Sequence, residues 1–330
     1  MKTRLGLLAL ALLSTLNSQL STAFAQGSLT PPGAPGPTMK ALDQIEPRTP
    51  ISSLQYNITN SGSYYLTGNL NGANGITILT NHVTIDLKGF SLTAPTGIYI
   101  PGSFTNLVIR NGMICNCTSN GISASYADGS VNTHNVLLED LHIANCGGYG
   151  ANIRLTAQVR NCAFVGNGVS GLYFMGGLVS GCLAEANKVD GIKAASSVGS
   201  VVENCHAMNN GGSGISAGYT LVTRCVTTGN GTNGILAGGA SRITDNLVTW
   251  NSSACGIFVY SVDNDIQNNT ITLNKIGLVC TNYAPNLILR NTFSGNSSGD
   301  MIIGAGNTAP LPINPGNSIT NAGPWINITY

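Results

Sequence analysis

The chain has 330 residues, of which 8% are charged and 42% apolar, with 42 glycines and a formal net charge of +1. That balance excludes disorder, which needs high charge and little hydrophobicity, and it supplies no basic field to hold nucleic acid. Amphipathic helices would need far more Lys, Glu and Arg, so the composition points to an all-β chain with many tight turns.

At the N-terminus, Lys2 and Arg4 precede an uncharged apolar run from Leu5 to Leu13, and Ala23-Phe24-Ala25 has the A-x-A form of a cleavage site. Residues 1–25 therefore read as a secretory signal peptide. The expected location is secreted, periplasmic or cell-surface. No later segment has the roughly 20 apolar residues that a membrane span needs, so no integral membrane segment is expected after cleavage. Residues 26–37 are rich in Pro and Gly and read as a linker. Residues 38–55 read as an N-terminal cap. Thr38 is placed to cap a short helix with Met39, Leu42 and Ile45 on one face, and Pro47 stops it.

From residue 56 to 305 one degenerate repeat governs the sequence. A Gly followed by an aliphatic residue recurs at Gly75, Gly97, Gly121, Gly171, Gly191, Gly214, Gly234, Gly256 and Gly277, with Gly150-Ala151 filling the gap. The spacing is 20 to 24 residues, except for a 29-residue coil between Gly121 and Gly150. The wider pattern is Val-x-Asn-Cys-x-Ala, then Asn, then Gly-Ile-x-Ala, clearest from Val159 to Ala237. Each period holds runs of three to five alternating residues separated by Gly, Asn and Ser, the residues of bends. Such runs bury little alone. Coiled and stacked in parallel at about 4.8 Å they close a continuous core, and about eleven coils would make a rod about 50 Å long.

Aligned coils become columns. Cys162, Cys182, Cys205 and Cys225 each precede their Gly by nine residues, and Asn246 with Asn268 or Asn269 continues that column. A linear column cannot gather thiolates tetrahedrally around zinc, so these read as buried free thiols, with no metal and no cofactor. Asn167, Asn187, Asn210 and Asn230 precede the Gly by four and read as an internal amide ladder. Cys117 and Cys146 hold the same offset in consecutive coils, and an exported protein can oxidise such a pair to a disulfide.

Two outward rows remain. One runs Asp86, Arg110, Glu139, Arg160, Ser180, Glu203, Thr223, Thr244, Gln267 and Arg290, alternating in sign at its start, and reads as a solvated charge ladder. The other follows each Gly-Ile and includes Tyr99, Tyr173, Lys193 and Phe258, with Tyr260 beside it. Tyrosines on a flat face stack on sugar rings, which makes these five the ligand-binding candidates. Catalytic candidates are sparser: Asp263 and Asp265, expected on one face of a strand, with Lys275 the nearest base. Asp128 and His134 lie in the loop of the long coil, where function can be grafted. Past residue 305 the repeat breaks at Pro310 to Pro315, and residues 306–330 are expected to fold back as a C-terminal cap.

Over about residues 56–305, through its Asn-Cys and Asn…Gly-Ile rows, the chain resembles the right-handed parallel β-helix repeat proteins of the pectin-lyase-like superfamily. The resemblance implies a single-stranded right-handed solenoid. That superfamily includes polysaccharide lyases, glycosidases, epimerases, tailspikes and adhesins, so the fold alone does not choose an activity. The favoured reading is a non-catalytic exported β-helix that binds a polysaccharide or surface glycan on a flat outer face. Against it stand a lyase or glycoside hydrolase acting on an acidic polysaccharide, and a purely structural rod.

Overall fold

The structure is a computed structural model that describes residues 47–124, 135–281, 285–313 and 325–330. Contacts divide the chain into Met1–Pro47 and Arg48–Tyr330, and apart from Pro47 all described residues belong to the second unit. The expected signal peptide, linker and capping helix lie outside the described residues.

Arg48–Tyr330 is a right-handed parallel β-helix, and every pairing between its strands is parallel. Three sheets run its length. The first stacks the Gly-Ile segments, from Tyr56–Ile58 through Ile76–Ile78 and Ile235–Ala237 to Met301–Ile303. The second begins at Thr49–Ile51 and ends at Leu287–Leu289. The third begins at Leu70–Asn71 and closes with Ile328–Thr329 paired to Thr292–Phe293. Some strands turn a corner without breaking: Ala151–Arg160 serves the first and second sheets, and Leu107–Cys115 the second and third.

Strand alternation sends every second side chain inward. In the first sheet Leu172 and Phe174 are buried and Tyr173 faces out; one coil on, Ile192 and Ala194 are buried and Lys193 faces out. The inward set forms one core from Ile51 to Phe293. From Asn111 onward, each bend from the second to the third sheet, and from the third to the first, holds one residue in a left-handed conformation. Asn145, Gly166, Ala186, Asn209, Gly229, Trp250, Leu273 and Gly295 form one such column, each directly before a corner residue whose side chain turns inward.

Those inward corner residues explain the repeat. Along the bend into the first sheet, the Oδ1 of Asn187, Asn210, Asn230, Asn251, Asn274 and Asn296 each accepts two hydrogen bonds from the preceding coil's Asn, one from its backbone N–H and one from its Nδ2. Each Nδ2 also reaches a carbonyl of an earlier coil, as Asn210 does to Ala184 at 3.0 Å. The recurrent Gly follows from this. A Cβ on Gly191 would lie 2.7 Å from the Asn210 Nδ2 and 2.6 Å from the Gly214 carbonyl oxygen.

Cys and Asn share columns. Cys146 heads this ladder, its N–H donating to Asn167 Oδ1 at 3.1 Å. Across the coil, the thiols of Cys162 to Cys225 give way to Asn246, Asn269, Asn291 and Asn327; Asn269 rather than Asn268 is the inward residue, because Asn268 takes the left-handed position before it. A third ladder, Asn264, Asn286 and Asn307, lines the remaining corner in the C-terminal half. Its members stand 22 and 21 residues apart, the same period as the Gly, although the sequence reading did not single them out.

All nine cysteines are free thiols. The Cys117–Cys146 disulfide that an exported chain could form is absent; the two thiols are instead in hydrogen-bond contact. Hydrogen bonds with Cys182 and Cys225, together with burial, hold the Cys205 thiol well above the usual range, as expected of a structural rather than reactive group. The charge row is corrected at its end: Leu289, not Arg290, is in register with Gln267, and Arg290 occupies the following bend while its guanidinium bonds back to Gln267.

Two outcomes follow. Replacing Asn210 with Ala strands Asn187 donors and an Ala184 acceptor inside the core, and should cost roughly 3–5 kcal/mol in urea unfolding; Asn210→Cys, a residue this column already uses, should cost about half as much. Ellman titration of the native protein should find Cys115 as the readily reactive thiol, because the other eight cysteines are buried, and full denaturation should release all nine.

Candidate functional site

The outer face of the first sheet gathers more chemistry than any single strand shows. Its row is in continuous register: Thr77, Tyr99, Ser123, Asn152, Tyr173, Lys193, Ser216, Leu236, Phe258 and Val279. Successive side chains therefore stand about 4.8 Å apart along the rod.

Tyr173 is the centre of this face. The ring of Tyr149, at the bend one coil earlier, meets it edge-on with centroids 5.8 Å apart. Lys193 Nζ stands 6.0 Å and Arg154 Cζ 5.8 Å from the Tyr173 ring centroid, within cation–π range. Asp190 sits at the bend before Gly191, where its Oδ1 accepts the Ser213 N–H at 2.9 Å. Burial pushes the Asp190 carboxyl above its usual range, against the pull of that N–H and of Lys193.

Next along the rod is a groove of about 240 Å³, lined by Lys193, Ser216, Gly218, Tyr219, Gly238, Gly239 and Tyr260. Tyr219 and Tyr260 are about half exposed, and their hydroxyls reach toward the glycine pair; a Cβ on Gly238 would lie 3.1 Å from the Tyr260 Oη. Glycine thus leaves the floor open. Toward the other end, Tyr99 borders a second groove of about 360 Å³ with Thr77, Asn120 and Ser123. Phe258 is half-buried between Leu236 and Val279 and adds apolar area to the same face.

The catalytic candidates do not assemble. Asp263 is not on a strand beside Asp265; it occupies the left-handed bend before the inward Asn264. Asp265 opens the second-sheet strand Asp265–Gln267, where Arg242 Nε stands 3.5 Å from its Oδ2 and Gln267 Nε2 bonds its Oδ1. Lys275 lies beyond the third-sheet strand Thr270–Thr272, at a different corner of the coil. The two-residue spacing suggested a shared strand face, but the bend falls between the two carboxylates. Asp128 and His134 lie outside the described residues.

A further groove of about 590 Å³ lies on the second sheet among Thr156, Gln158, Arg160, Leu178 and Val201. Among the described residues its lining holds no carboxylate, and Arg160 is already bonded to Gln158 at 2.7 Å. At the start of that sheet, Asp86 is held by the Lys88 N–H, Asn111, Arg110 and Arg48; these lower its pKa against the opposing effect of burial. This network fastens the first coil. It offers no open site.

Sequence reasoning missed Tyr149, Arg154, Asp190 and Tyr219. All four sit at corners rather than on strand rows, and only the path of each corner brings them over the first sheet. Tyr149 and Asp190 had one signal available, since each immediately precedes a repeat Gly.

Known proteins match this fold. Residues 130–221 match the family described as right handed beta helix region, and residues 176–307 match the family described as periplasmic copper-binding protein (NosD). No curated protein matches the sequence. The A-module of Azotobacter vinelandii mannuronan C-5 epimerase AlgE4 superposes with a TM-score of 0.58 at 16% identity, over 75% of this chain and 91% of that one. The A-module of AlgE6 from the same organism gives 0.56 at 14% identity, over 82% and 91%. The chain therefore has the right-handed parallel β-helix fold. Among the described residues no three His, Cys, Asp or Glu are grouped to hold a metal ion.

The raised pKa of Asp190 has a stability consequence. Its folded value lies above its unfolded value, so its contribution is most favourable below the unfolded carboxyl pKa and declines as pH rises through the folded one. Asp190→Asn, which keeps the acceptor for Ser213, should therefore stabilise the protein at pH 7 and leave it unchanged below the usual carboxyl range. Thermal melts across that pH series check the sign.

Proposed function

We propose that the protein is an exported, non-catalytic β-helix that binds a polysaccharide along the outer face of its first sheet. One observation carries this reading. Tyr149, Tyr173, Tyr219 and Tyr260 form a track along the coils, with Lys193 between them and an open groove at its C-terminal half. Aromatic rings present wide, rigid apolar area with a polar tip, which suits the face of a sugar ring and its hydroxyls together. A glycan running along the rod meets one outward side chain about every 4.8 Å, close to the length of one sugar unit. Because every coil is locked to the next, the track is preformed and little ordering entropy is lost on binding.

A polysaccharide partner agrees with the mannuronan named for both solved epimerases. The binding reading is preferred to a lyase or hydrolase because Asp263, Asp265 and Lys275 occupy different corners and faces, whereas such hydrolysis uses paired carboxyl groups across one bond.

Affinity electrophoresis and calorimetry against soluble polysaccharides test this. Tyr219→Ala and Tyr260→Ala should each weaken binding about five- to tenfold, or about 1–1.4 kcal/mol, without lowering the melting temperature. Incubation with uronic-acid polymers should release no unsaturated oligosaccharides. Steady release of them by the wild type would replace the binding reading with a catalytic one.

A further inference from the structure

We infer that Lys193 and Arg154 make the Tyr173 end of the track a subsite for an anionic sugar, one carrying a carboxylate or a sulfate ester. The inference rests on the binding reading above and goes further, because it names the residues that would select charged over neutral glycans.

Three observations carry it. The first is charge placement. Arg48, Arg110, Arg224 and Arg242 each have a carboxylate partner within 4.0 Å. Lys193 and Arg154 have none among the described residues, yet both stand within about 6 Å of one ring. Two cations beside one ring add their potentials over it, and a bound anion there is attracted by both.

The second is an orphaned acceptor. Asn152 is in register with Tyr173 on the outward row, is 9% exposed, and its Oδ1 has no hydrogen-bond donor. Buried carbonyls are rarely left so. That oxygen is closed to solvent, so the Asn152 side chain turns outward to meet a sugar hydroxyl, which supplies the missing donor.

The third is the neighbouring carboxylate. Asp190 interacts with Lys193 through space, but its Oδ1 accepts the Ser213 N–H and no ion pair between the two side chains forms. The ammonium is left for a ligand. Tyr173 and Tyr149 then present the apolar surface on which the sugar ring rests, and the anionic group falls between the two cations.

The test uses the full exported chain with four probes: polygalacturonic acid, the same polymer after carboxyl reduction, dextran sulfate and dextran. The wild type should bind each anionic polymer at least tenfold more tightly than its neutral counterpart at low salt. That preference should shrink as ionic strength rises. Lys193→Met and Arg154→Gln should each cut the preference to threefold or less. Lys193→Glu should reverse it. Tyr219→Ala, outside the cluster, should weaken all four alike and keep the ratio. Preference for polygalacturonic acid over dextran sulfate identifies the carboxylate as the recognised group, and the opposite order identifies the sulfate. Equal binding of charged and neutral polymers by the wild type, or a preference that survives Lys193→Met and Arg154→Gln, overturns this assignment and leaves the track intact. Failure to bind any of the four overturns both.

Discussion

The structure depends on the satisfaction of polar groups turned inward at its corners. A coil of this size has three bends, and at two of them a left-handed residue throws the next side chain into the core. An inward amide is costly unless both of its donors and its oxygen are used. Here the neighbouring coils complete the set: the next one accepts an Nδ2 hydrogen bond, and the preceding one gives the oxygen two donors. Register is fixed as a result, because a coil shifted by one residue would turn Ala186 or Lys188 toward the place of Asn187 and leave the column broken. The amides all point the same way along the rod, and chains of aligned hydrogen bonds reinforce one another. The run of amides ends in a carboxylate, with Asn296 Nδ2 donating to Asp300 Oδ1 at 2.9 Å.

The interchange of Cys and Asn follows from the same constraint. A thiol is a small group with weak hydrogen-bonding needs, so it can fill a corner where no amide partner is available above it. The Cys182, Cys205 and Cys225 thiols each find backbone carbonyls, as Cys205 does at Glu203. Where the column changes to Asn, Cys225 N–H starts the new ladder by donating to Asn246. Neither residue type marks chemistry here. Both solve a corner.

The proposed binding face draws on the corner that the ladders control least. Between the first and second sheets the connection varies in length, from the continuous strand Leu172–Ser180 to the long coil that begins after Ala124. Arg154 and Tyr219 both come from that variable corner, and Tyr219 takes a left-handed conformation to lie over the groove. The rigid rows supply spacing and the variable corner supplies side chains, a division that lets loops change while the scaffold holds.

The sequence alone determined the repeat, the parallel β-helix, the Cys and Asn columns and the outward row from Tyr99 to Phe258. All of these depend on fixed offsets from one Gly, and a fixed offset in a solenoid is a fixed position in space. It also determined that Tyr173, Lys193 and Tyr260 share one face. It misplaced Asp263, because a two-residue spacing implies a shared strand face only where no bend intervenes, and bends here are as short as a single left-handed residue. Tyr149, Arg154, Asp190 and Tyr219 were decided by the tertiary structure. Tyr149 and Asp190 keep a fixed offset before a repeat Gly, but the residue type there changes from coil to coil; Arg154 and Tyr219 come from the connection of variable length, whose closure onto the coils above and below sets their direction.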